Sequence, residues 1–416
     1  MLGLILAGEA VYVLPFHLAR YFRPTMLEVM DVSATELGAA QSIYGIVAML
    51  AYFPGGPLAD RFSTRKLLAM SLWTTALGGL YLASFPSLTG INFIWGFFGV
   101  TTILFFWAAL IKATRDWGGT DSQGRAYGIL DGGRGLLAAV LASTGVLVFE
   151  LAFPDGYAAA SAVERQDALR TVIYGYTVVT ALAGVFVWFA IPELSASSGA
   201  VPRIRSGLST VLRLPAVWLQ SLIVVCAYVG YKGVDNYSLF AVDAYGLDPV
   251  EAGEIVAIGA WTRPFAALAA GLLGDRLQKP WLLAGLFVAL AASHVFFATD
   301  TPDGALIWVL LTNMLLACIA VFALRGLYFA VFEDARVPVT VTGTAVGIVS
   351  VLGYTPDIFT YYVAGVLVDN NPGLTGHQHY FWFLASFAVL GAIASMAFAY
   401  VTRRNVTSRA AAAAHE

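Results

Sequence analysis

Nine charged residues lie inside long apolar stretches of this 416-residue sequence, where a charge is costly unless it has a partner or faces water. There are five cations and four acids: Arg20, Arg134, Lys232, Arg263, Arg325, Glu9, Asp131, Asp235 and Asp357. Buried cations bind anionic groups through charge-assisted hydrogen bonds, and a carboxylate in apolar surroundings can hold a proton near neutral pH. The set therefore predicts an anion-binding site with a protonatable carboxylate beside it.

The candidate site residues divide into substrate ligands and proton carriers. The predicted substrate ligands are Arg134 and Lys232, then Arg20, Arg263 and Arg325, with the aromatic residues Tyr12, Phe16, Tyr231 and Tyr237. Glu9 and Asp357 are the first candidates for carrying the proton, followed by Asp131 and Asp235. A helical step of 100° places Glu9, Phe16 and Arg20 within about 20° of one line, which indicates that this stripe faces the protein interior.

Some of these charges have a simpler interpretation. Asp131 with Arg134 and Lys232 with Asp235 have i,i+3 spacing, so each pair could serve only to neutralise its own members on one helix. Pro356, just before Asp357, predicts a break in its helix. Further aromatic candidates for the cavity wall are Trp107, Trp261 and Tyr354.

The apolar stretches that hold these residues are long enough to cross a membrane. The sequence is 59% hydrophobic and 12% charged, with a mean hydropathy of +0.76, which indicates a membrane protein. Runs of about 20 apolar residues predict twelve membrane-spanning helices and an all-α fold of two six-helix bundles. The predicted helices, numbered 1 to 12 along the chain, cover residues 2–24, 36–58, 67–86, 90–113, 126–150, 170–192, 215–241, 250–274, 280–299, 304–331, 339–368 and 377–402.

Two parts of the sequence repeat each other at an offset of 215 residues (275 − 60 = 215). The matched segments are 56–66 with 271–279, which contain Asp60 and Asp275, and 33–38 with 248–253. The second pair has the spacing of a helix-opening capping box in both copies. The chain is therefore predicted to be a tandem duplication, an arrangement in which transporters place one site between two halves.

The repeat and the loop charges define the predicted domains and topology. An N-terminal bundle spans 1–192, a polar linker 193–214, a C-terminal bundle 215–402 and a tail 403–416. Of the Lys and Arg residues in loops, fifteen fall on the side of the termini, against Arg23, Arg165 and Arg170 opposite. By the positive-inside rule we expect a multi-pass protein of the cytoplasmic membrane with both termini and the linker in the cytosol.

Residues 56–66 read Gly-x-Leu-x-Asp-Arg-x-x-x-Arg-Lys, which resembles the loop between helices 2 and 3 that marks the major facilitator superfamily. The weaker copy at 271–279 extends the resemblance over essentially the whole chain, with a departure at Ser63, where glycine is usual. The resemblance implies a transporter that works by alternating access. The gating residues expected from it are Gly56, which would allow close helix packing, and Asp60, Arg61, Arg65, Asp275 and Arg276.

A closer resemblance, to the organophosphate and sugar-phosphate permease branch and its uncharacterised bacterial relatives, runs along helices 4, 5, 10 and 11. It is carried by residues 106–115, 123–135 and 343–357. In the glycerol-phosphate antiporters of that branch, helices 1 and 7 each supply an arginine to the phosphate and helix 5 supplies a histidine. Here Arg134 stands at the helix 5 position and Tyr231 at the helix 7 position, while Arg20 is displaced toward the outer end of helix 1. The resemblance implies an anion site, but the phosphate clamp is not reproduced residue for residue.

The expected function is secondary transport of a small organic anion, a carboxylate, sulfonate or phosphate ester, coupled to protons or to anion exchange. Two alternatives stay open: a proton-coupled drug or cation exporter that uses Glu9 as its cation site, and a non-transporting membrane sensor. We expect no enzyme activity, no cofactor and no metal, and we expect His377 and His379 to lie in a solvated loop. The expected partners of this monomer are the lipid bilayer, protons and the anion, and the net charge of −3 gives no indication of nucleic acid.

Overall fold

The computed structural model describes residues 1–119, 123–193, 208–302, 307–332 and 342–413, and its chain path crosses twelve times between two faces. The helices are, in order, Leu2–Ala10 with Val13–Tyr21, Ala34–Arg61, Thr64–Leu82, Leu88–Gly118, Arg125–Glu150, Ala162–Ala190, Pro215–Tyr245, Pro249–Arg276, Lys279–Thr299, Ile307–Leu327, Ala345–Asn370 and Leu374–Thr402. We call the face where helix 1 begins the terminal face, and the opposite one the distal face.

Within the described ranges, ten helices are long and apolar enough to cross a membrane, and the bent pair of helix 1 is an eleventh. Helix 3, Thr64–Leu82, must also cross, because helix 2 ends at the terminal face and helix 4 begins at the distal face. The predicted fold of two six-helix bundles is confirmed.

Several helices begin earlier than predicted, and helix 6 shows the largest difference. It begins at Ala162, eight residues before the predicted start at 170 (170 − 162 = 8), because Ser161 and Glu164 form a capping box there. Helix 12 begins at Leu374, so residues 374–376 are also helical. Most of the predicted linker, residues 194–207, lies outside the described residues, and Leu208–Leu212 forms a short helix.

The predicted duplication appears as helices of equal length. Helix 2 and helix 8 each have 28 residues, and both their first and last residues differ by 215 (249 − 34 = 215; 276 − 61 = 215). Both begin with the predicted capping box, in which Ser33 and Asp248 accept backbone hydrogen bonds. Residues of helix 1 therefore have counterparts 215 positions later in helix 7. Several of these equivalent residues meet at the site described below.

The central helices are interrupted near the middle of the protein. Helix 1 bends by about 40° and continues as a π-helical turn, Val13–His17, around Pro15, which has no backbone N–H for the helical ladder. Helix 7 contains the 3-10 turn Val234–Asn236, and helix 11 is interrupted between Gly353 and Pro356, as predicted. Irregular backbone at membrane depth is tolerated where it lines a cavity.

The two halves pack closely at the distal face. A Cβ on Gly38 of helix 2 would lie 2.4 Å from the carbonyl oxygen of Tyr361 in helix 11. Asp369, at the end of helix 11, accepts hydrogen bonds from the backbone amides of Ala34 and Thr35 at 3.2 and 2.7 Å, which caps helix 2 across the halves. Such an anion at a helix N-terminus also stabilises the helix dipole.

Toward the terminal face the same helices separate. Among the described residues, no neighbouring atom lies within 4 Å of a Cβ built on Gly56 in helix 2 or on Gly347 in helix 11. The expectation that Gly56 packs closely is therefore not met in this state, because helix 2 contacts helix 4 here through the adjacent Gly55, whose Cβ would lie 3.4 Å from the carbonyl oxygen of Leu104. In the described part of the chain, helices 2 and 11 are thus in contact at the distal face and farther apart toward the terminal face.

Candidate functional site

A polar cavity of about 80 Å³ lies between the two halves at the level of the helix breaks. Ten of the predicted site residues line it: Glu9, Tyr12, Phe16, Arg20, Arg134, Tyr231, Lys232, Arg263, Arg325 and Asp357. The aromatic candidates Trp107 and Tyr354 line it as well. A water needs about 10 to 15 Å³ by a comparable measure, so the cavity has room for a few waters or one compact polar group.

Glu9 joins the two halves near the terminal end of this cavity. Its carboxylate lies 3.4 Å from Arg134 Nε in its own half and 3.5 Å from Arg263 Nη1 of helix 8 in the other half. Arg134 Nε also donates to the carbonyl of Gly8 at 2.9 Å. The side chain of Asp131, 52% exposed, lies 3.9 Å from Arg134 and 3.6 Å from Arg263, so the predicted i,i+3 pair exists but is shared. These two acids and two arginines neutralise one another.

Arg20 lies at the distal end of the cavity and is bonded to Asp235 behind the cavity wall. Arg20 Nε donates to Asp235, and the hydroxyl of Tyr361 donates to the other oxygen of the same carboxylate at 2.6 Å. Arg20 and Asp235 are 215 positions apart, so they occupy equivalent places in the two halves. Equivalent positions related by a pseudo-two-fold axis meet only near that axis, so this ion pair lies at the centre of the distal seal.

Lys232 is buried against Asp357 and a set of rings. Its Nζ lies 2.7 Å from Asp357 Oδ1 and 4.1 Å from the ring centre of Phe16, while the Tyr228 hydroxyl donates to Asp357 Oδ2 at 3.1 Å. The interpretation of Lys232 and Asp235 as an i,i+3 pair is wrong, because each has a partner on a different helix. Lys232 and Asp357 thus form an ion pair between helices 7 and 11.

Arg325 is the cation that remains without an acidic partner. Its guanidinium lies 3.8 Å from the ring centre of Tyr231, and no carboxylate of the described residues lies within ion-pair distance. Its Nη1 is buried and has no hydrogen-bond partner in that part of the chain. Arg20 lies over the same ring at 4.9 Å. Among the described residues, the four acids are matched to the other four cations, so Arg325 contributes one positive charge that none of them compensates.

Several cavity residues were missed by the sequence analysis: His17, Tyr44, Tyr52, Ile103 and Tyr228. His17 is 3% exposed and its Nε2 lies 3.3 Å from Glu9. The repeat offset could have identified it, because His17 is the counterpart of Lys232 (232 − 215 = 17), just as Phe16 is the counterpart of Tyr231. The tyrosines of helix 2 have no such signal, because aromatic residues are common throughout this sequence.

Some predicted residues lie elsewhere. Tyr237 does not line the cavity, because it is buried against Phe297 and Phe381 at 6.1 and 6.0 Å between ring centres. Trp261 is partly exposed and bonds to Ser143 at 3.0 Å. Of the proton-carrier candidates, Asp131 and Asp235 are bonded to cavity cations but do not line the cavity themselves.

The predicted gating residues make contacts within single halves in this state. Asp60 is exposed and lies 3.7 Å from Lys112, and Arg65 pairs with Glu193. Arg61 lies over the ring of Phe62 at 6.0 Å. The exposed pair Asp275 and Arg276 has no hydrogen bond or ion pair among the described residues.

Two sequence expectations about polar residues near the distal face were wrong. His377 is buried in helix 12 and lies 2.9 Å from Asp243, because that helix begins before it, whereas His379 is exposed. Arg23, expected in a loop, is 1% exposed, because it starts the helix Arg23–Met30, which packs against helices 6 and 7. In the described ranges no three His, Cys, Asp or Glu residues form a group that could hold a metal ion.

Residues 5–359 match the family model described as Major Facilitator Superfamily. The Inner membrane protein YqcE of Escherichia coli K12 is 29% identical over 388 residues, covering 91% of this chain and 88% of that protein. The Inner membrane protein YihN of the same organism is 26% identical over 402 residues, covering 94% and 93%.

Two solved structures show the same fold. A mutant of the nucleoside transporter NupG superposes with a TM-score of 0.73 at 16% identity, covering 95% of this chain and 99% of that one. An inward-facing, unoccupied bacterial homolog of the human lysosomal transporter Spinster also gives 0.73, at 14% identity, covering 97% and 96%.

Proposed function

The chain belongs to the Major Facilitator Superfamily and is a multi-pass inner-membrane transporter, not an enzyme, and on that premise we propose that it moves a small organic anion by alternating access. The observation that carries the proposal is Arg325, a cavity guanidinium without an acidic partner among the described residues. A buried unpaired cation is costly, and an anionic ligand offsets that cost through charge-assisted hydrogen bonds.

The cavity favours an anion over the alternative cationic substrate. Five cations line it, against the two acids Glu9 and Asp357. A cationic drug would meet like charge at close range, which costs several kcal/mol in a specific site. The volume of about 80 Å³ supports a compact carboxylate, sulfonate or phosphate ester, and Tyr44, Tyr52 and Trp107 offer apolar surface for its organic part.

Glu9 is the carboxylate that we propose to couple transport to protons. It pairs with both Arg134 and Arg263, so protonation of Glu9 would leave Asp131 as the one acid shared by two guanidinium groups and make them available to an anion. A bound anion would in turn favour the protonated carboxyl, because it replaces the carboxylate as partner of the arginines. Proton and anion would then move together, with Asp357 as the second candidate for the proton; exchange of one anion for another is the alternative mode.

Orientation and gating belong to the same proposal. The cation-rich terminal face would lie in the cytosol, so the state described above would be open to the cytosol. In the opposite state, Asp60, Arg61, Arg65, Asp275 and Arg276 would join the halves at that face, and Gly56 would allow the helices to approach. Slower transport with unchanged substrate affinity in Asp60→Asn would support this role.

The test of the proposed function is uptake by purified protein in liposomes. Labelled lactate, methanesulfonate and glycerol 3-phosphate represent the three anion classes, and tetraphenylphosphonium and choline represent the cations. We expect at least one anion and neither cation to accumulate, and the same anion to raise the melting temperature of the detergent-solubilised protein. Transport of a cation would favour the exporter, and a ligand that stabilises the protein without uptake would favour the sensor.

A further inference from the structure

Arg23 is a deeply buried cation outside the central cavity. Its side chain makes one hydrogen bond among the described residues, from Nη1 to Gln41 Oε1 of helix 2 at 3.2 Å. The remaining donors, Nε and Nη2, are buried without a partner in those ranges. No carboxylate of the described residues forms an ion pair with Arg23, because the nearby Asp235 is bonded to Arg20 and Tyr361.

One more unpaired donor lies beside this guanidinium, and another lies three residues earlier in the chain. Gln41, 1% exposed, holds Arg23 through its carbonyl oxygen, which leaves its Nε2 without a partner in the described ranges. Arg20, three residues before Arg23, has a buried Nη2 that also lacks one there. A buried donor left without a hydrogen bond costs about 1 to 3 kcal/mol, so a cluster of such groups is a strong candidate for binding an acceptor. Every free group in this cluster is a donor, which selects an anion.

The cluster lies where the halves separate when the distal face opens. Arg23 and Gln41 belong to the same half, so their mutual hydrogen bond is retained when the halves move apart. The pair of Arg20 with Asp235 crosses between the halves and has to break. Part of the cover comes from the other half, because the helix Arg23–Met30 packs against the end of helix 7 as well as against helix 6 of its own half, and helix 2 packs along helix 11. Opening would therefore expose an intact cationic pocket next to the cavity.

We propose that Arg23, Gln41 and Arg20 form a second anion subsite, which captures the anionic group of the substrate from the distal side before it reaches Arg325. The subsite takes the oxygens of a carboxylate, sulfonate or phosphate, because a guanidinium fork and an amide N–H donate to such groups. Arg20 belongs to the cavity wall and to this cluster, so it provides the step between them. This inference rests on the proposed transport of an organic anion.

The test compares the two faces of the transporter in liposomes that hold the full-length protein in one orientation. Uptake of labelled lactate, methanesulfonate and glycerol 3-phosphate gives a half-saturating concentration from the distal face and from the terminal face. We expect Arg23→Gln to raise the half-saturating concentration measured from the distal face at least tenfold. The half-saturating concentration measured from the terminal face should change less than twofold. Arg23→Lys should recover part of the loss, because it restores the charge without the planar fork.

A second variant and a matched control complete the experiment. Gln41→Glu puts a carboxylate at the hydrogen-bonding position of Arg23, so it should neutralise the guanidinium and give the same distal loss even if Arg23→Gln does not fold. Arg165→Gln removes a half-buried distal cation that is paired with Glu28, and it should leave both half-saturating concentrations unchanged.

The outcomes separate the subsite from the transport function. Normal uptake with an unchanged distal value in both cluster variants overturns the subsite alone. An equal rise of the half-saturating concentration at both faces also overturns the subsite, because a general loss of affinity would then explain the data. An equal effect of Arg165→Gln overturns it as well, because the change would then reflect the surface potential. If the unchanged protein takes up none of the three anions, the proposed function fails, and the subsite fails with it.

Discussion

Replacing Arg325 by glutamine should remove most of the affinity for the transported anion. Arg325 has no acidic partner to release in the described part of the chain, so its hydrogen bonds to a ligand are gained without breaking an ion pair. A hydrogen bond to a charged group contributes about 1.5 to 3 kcal/mol, which corresponds to a change in Kd of about 10- to 100-fold. Arg134 differs, because it is already bonded to Glu9 and to the carbonyl of Gly8.

The assay is the quenching of tryptophan fluorescence by lactate, methanesulfonate or glycerol 3-phosphate, since Trp107 lines the cavity. Arg325→Gln should raise Kd about 10- to 100-fold. The Kd of Arg325→Lys should lie between those of the original protein and Arg325→Gln. In Arg134→Gln we expect a lower melting temperature, because Glu9 loses one of its cations. A Kd within twofold of the original in Arg325→Gln, together with a larger loss in Arg134→Gln at unchanged stability, would refute the assignment.

Three further predictions use simpler variants. Glu9→Gln should retain counterflow exchange but lose accumulation driven by a pH gradient; continued accumulation would remove Glu9 as the proton carrier. Gly38→Ala should lower the melting temperature because the added Cβ would lie 2.4 Å from a backbone oxygen of helix 11, whereas Gly56→Ala, which has no neighbouring atom of the described residues within 4 Å, should not. The pKa of Glu193 is lowered, chiefly by its hydrogen bond to Lys66. The ionised carboxylate therefore stabilises the native state at pH values above the ordinary carboxyl pKa, and this stabilisation is lost as the pH falls through the lowered pKa. Glu193→Gln should therefore lower the melting temperature slightly at pH 7, and the difference should vanish in acid.

The fold was largely predictable because its signals are local and repeated. Apolar runs of a fixed length predicted the twelve helices, and the capping boxes at Ser33 and Asp248 marked the same start in both halves. The late predicted start of helix 6 has a physical cause. Its first two turns, after Ser161, are polar and lie outside the apolar run, so hydropathy could not detect them although the capping box did define them.

The site was predictable in its members but not in its pairing. Seven of the ten predicted residues that line the cavity are charged, and a charge within an apolar run is costly unless it faces a polar cavity or a partner. Which cation pairs with which acid depends on contacts between helices far apart in sequence, such as Lys232 with Asp357. Spacing along one helix favoured Asp235 for Lys232 and Asp131 for Arg134, and only the second pair forms, at 3.9 Å. The uncompensated charge of Arg325 follows from that pairing, so no reading of single helices could have identified it.

The pairing also indicates what an anion would have to compete with. Among the described residues, three ion pairs cross between the halves here, Arg20 with Asp235 and Arg263 with both Glu9 and Asp131, whereas Lys232 with Asp357 stays within one half. An anion that binds Arg20 would displace Asp235 and weaken the distal seal, and one that binds Arg263 would displace Glu9. Under the proposed mechanism, an anionic substrate would replace the carboxylate bonded to an arginine and so lower the free-energy cost of opening the distal face. A cationic substrate would instead have to displace the arginine from its carboxylate and leave that arginine buried without a partner. The crossing ion pairs thus favour the anion for the same reason that the unpaired Arg325 does.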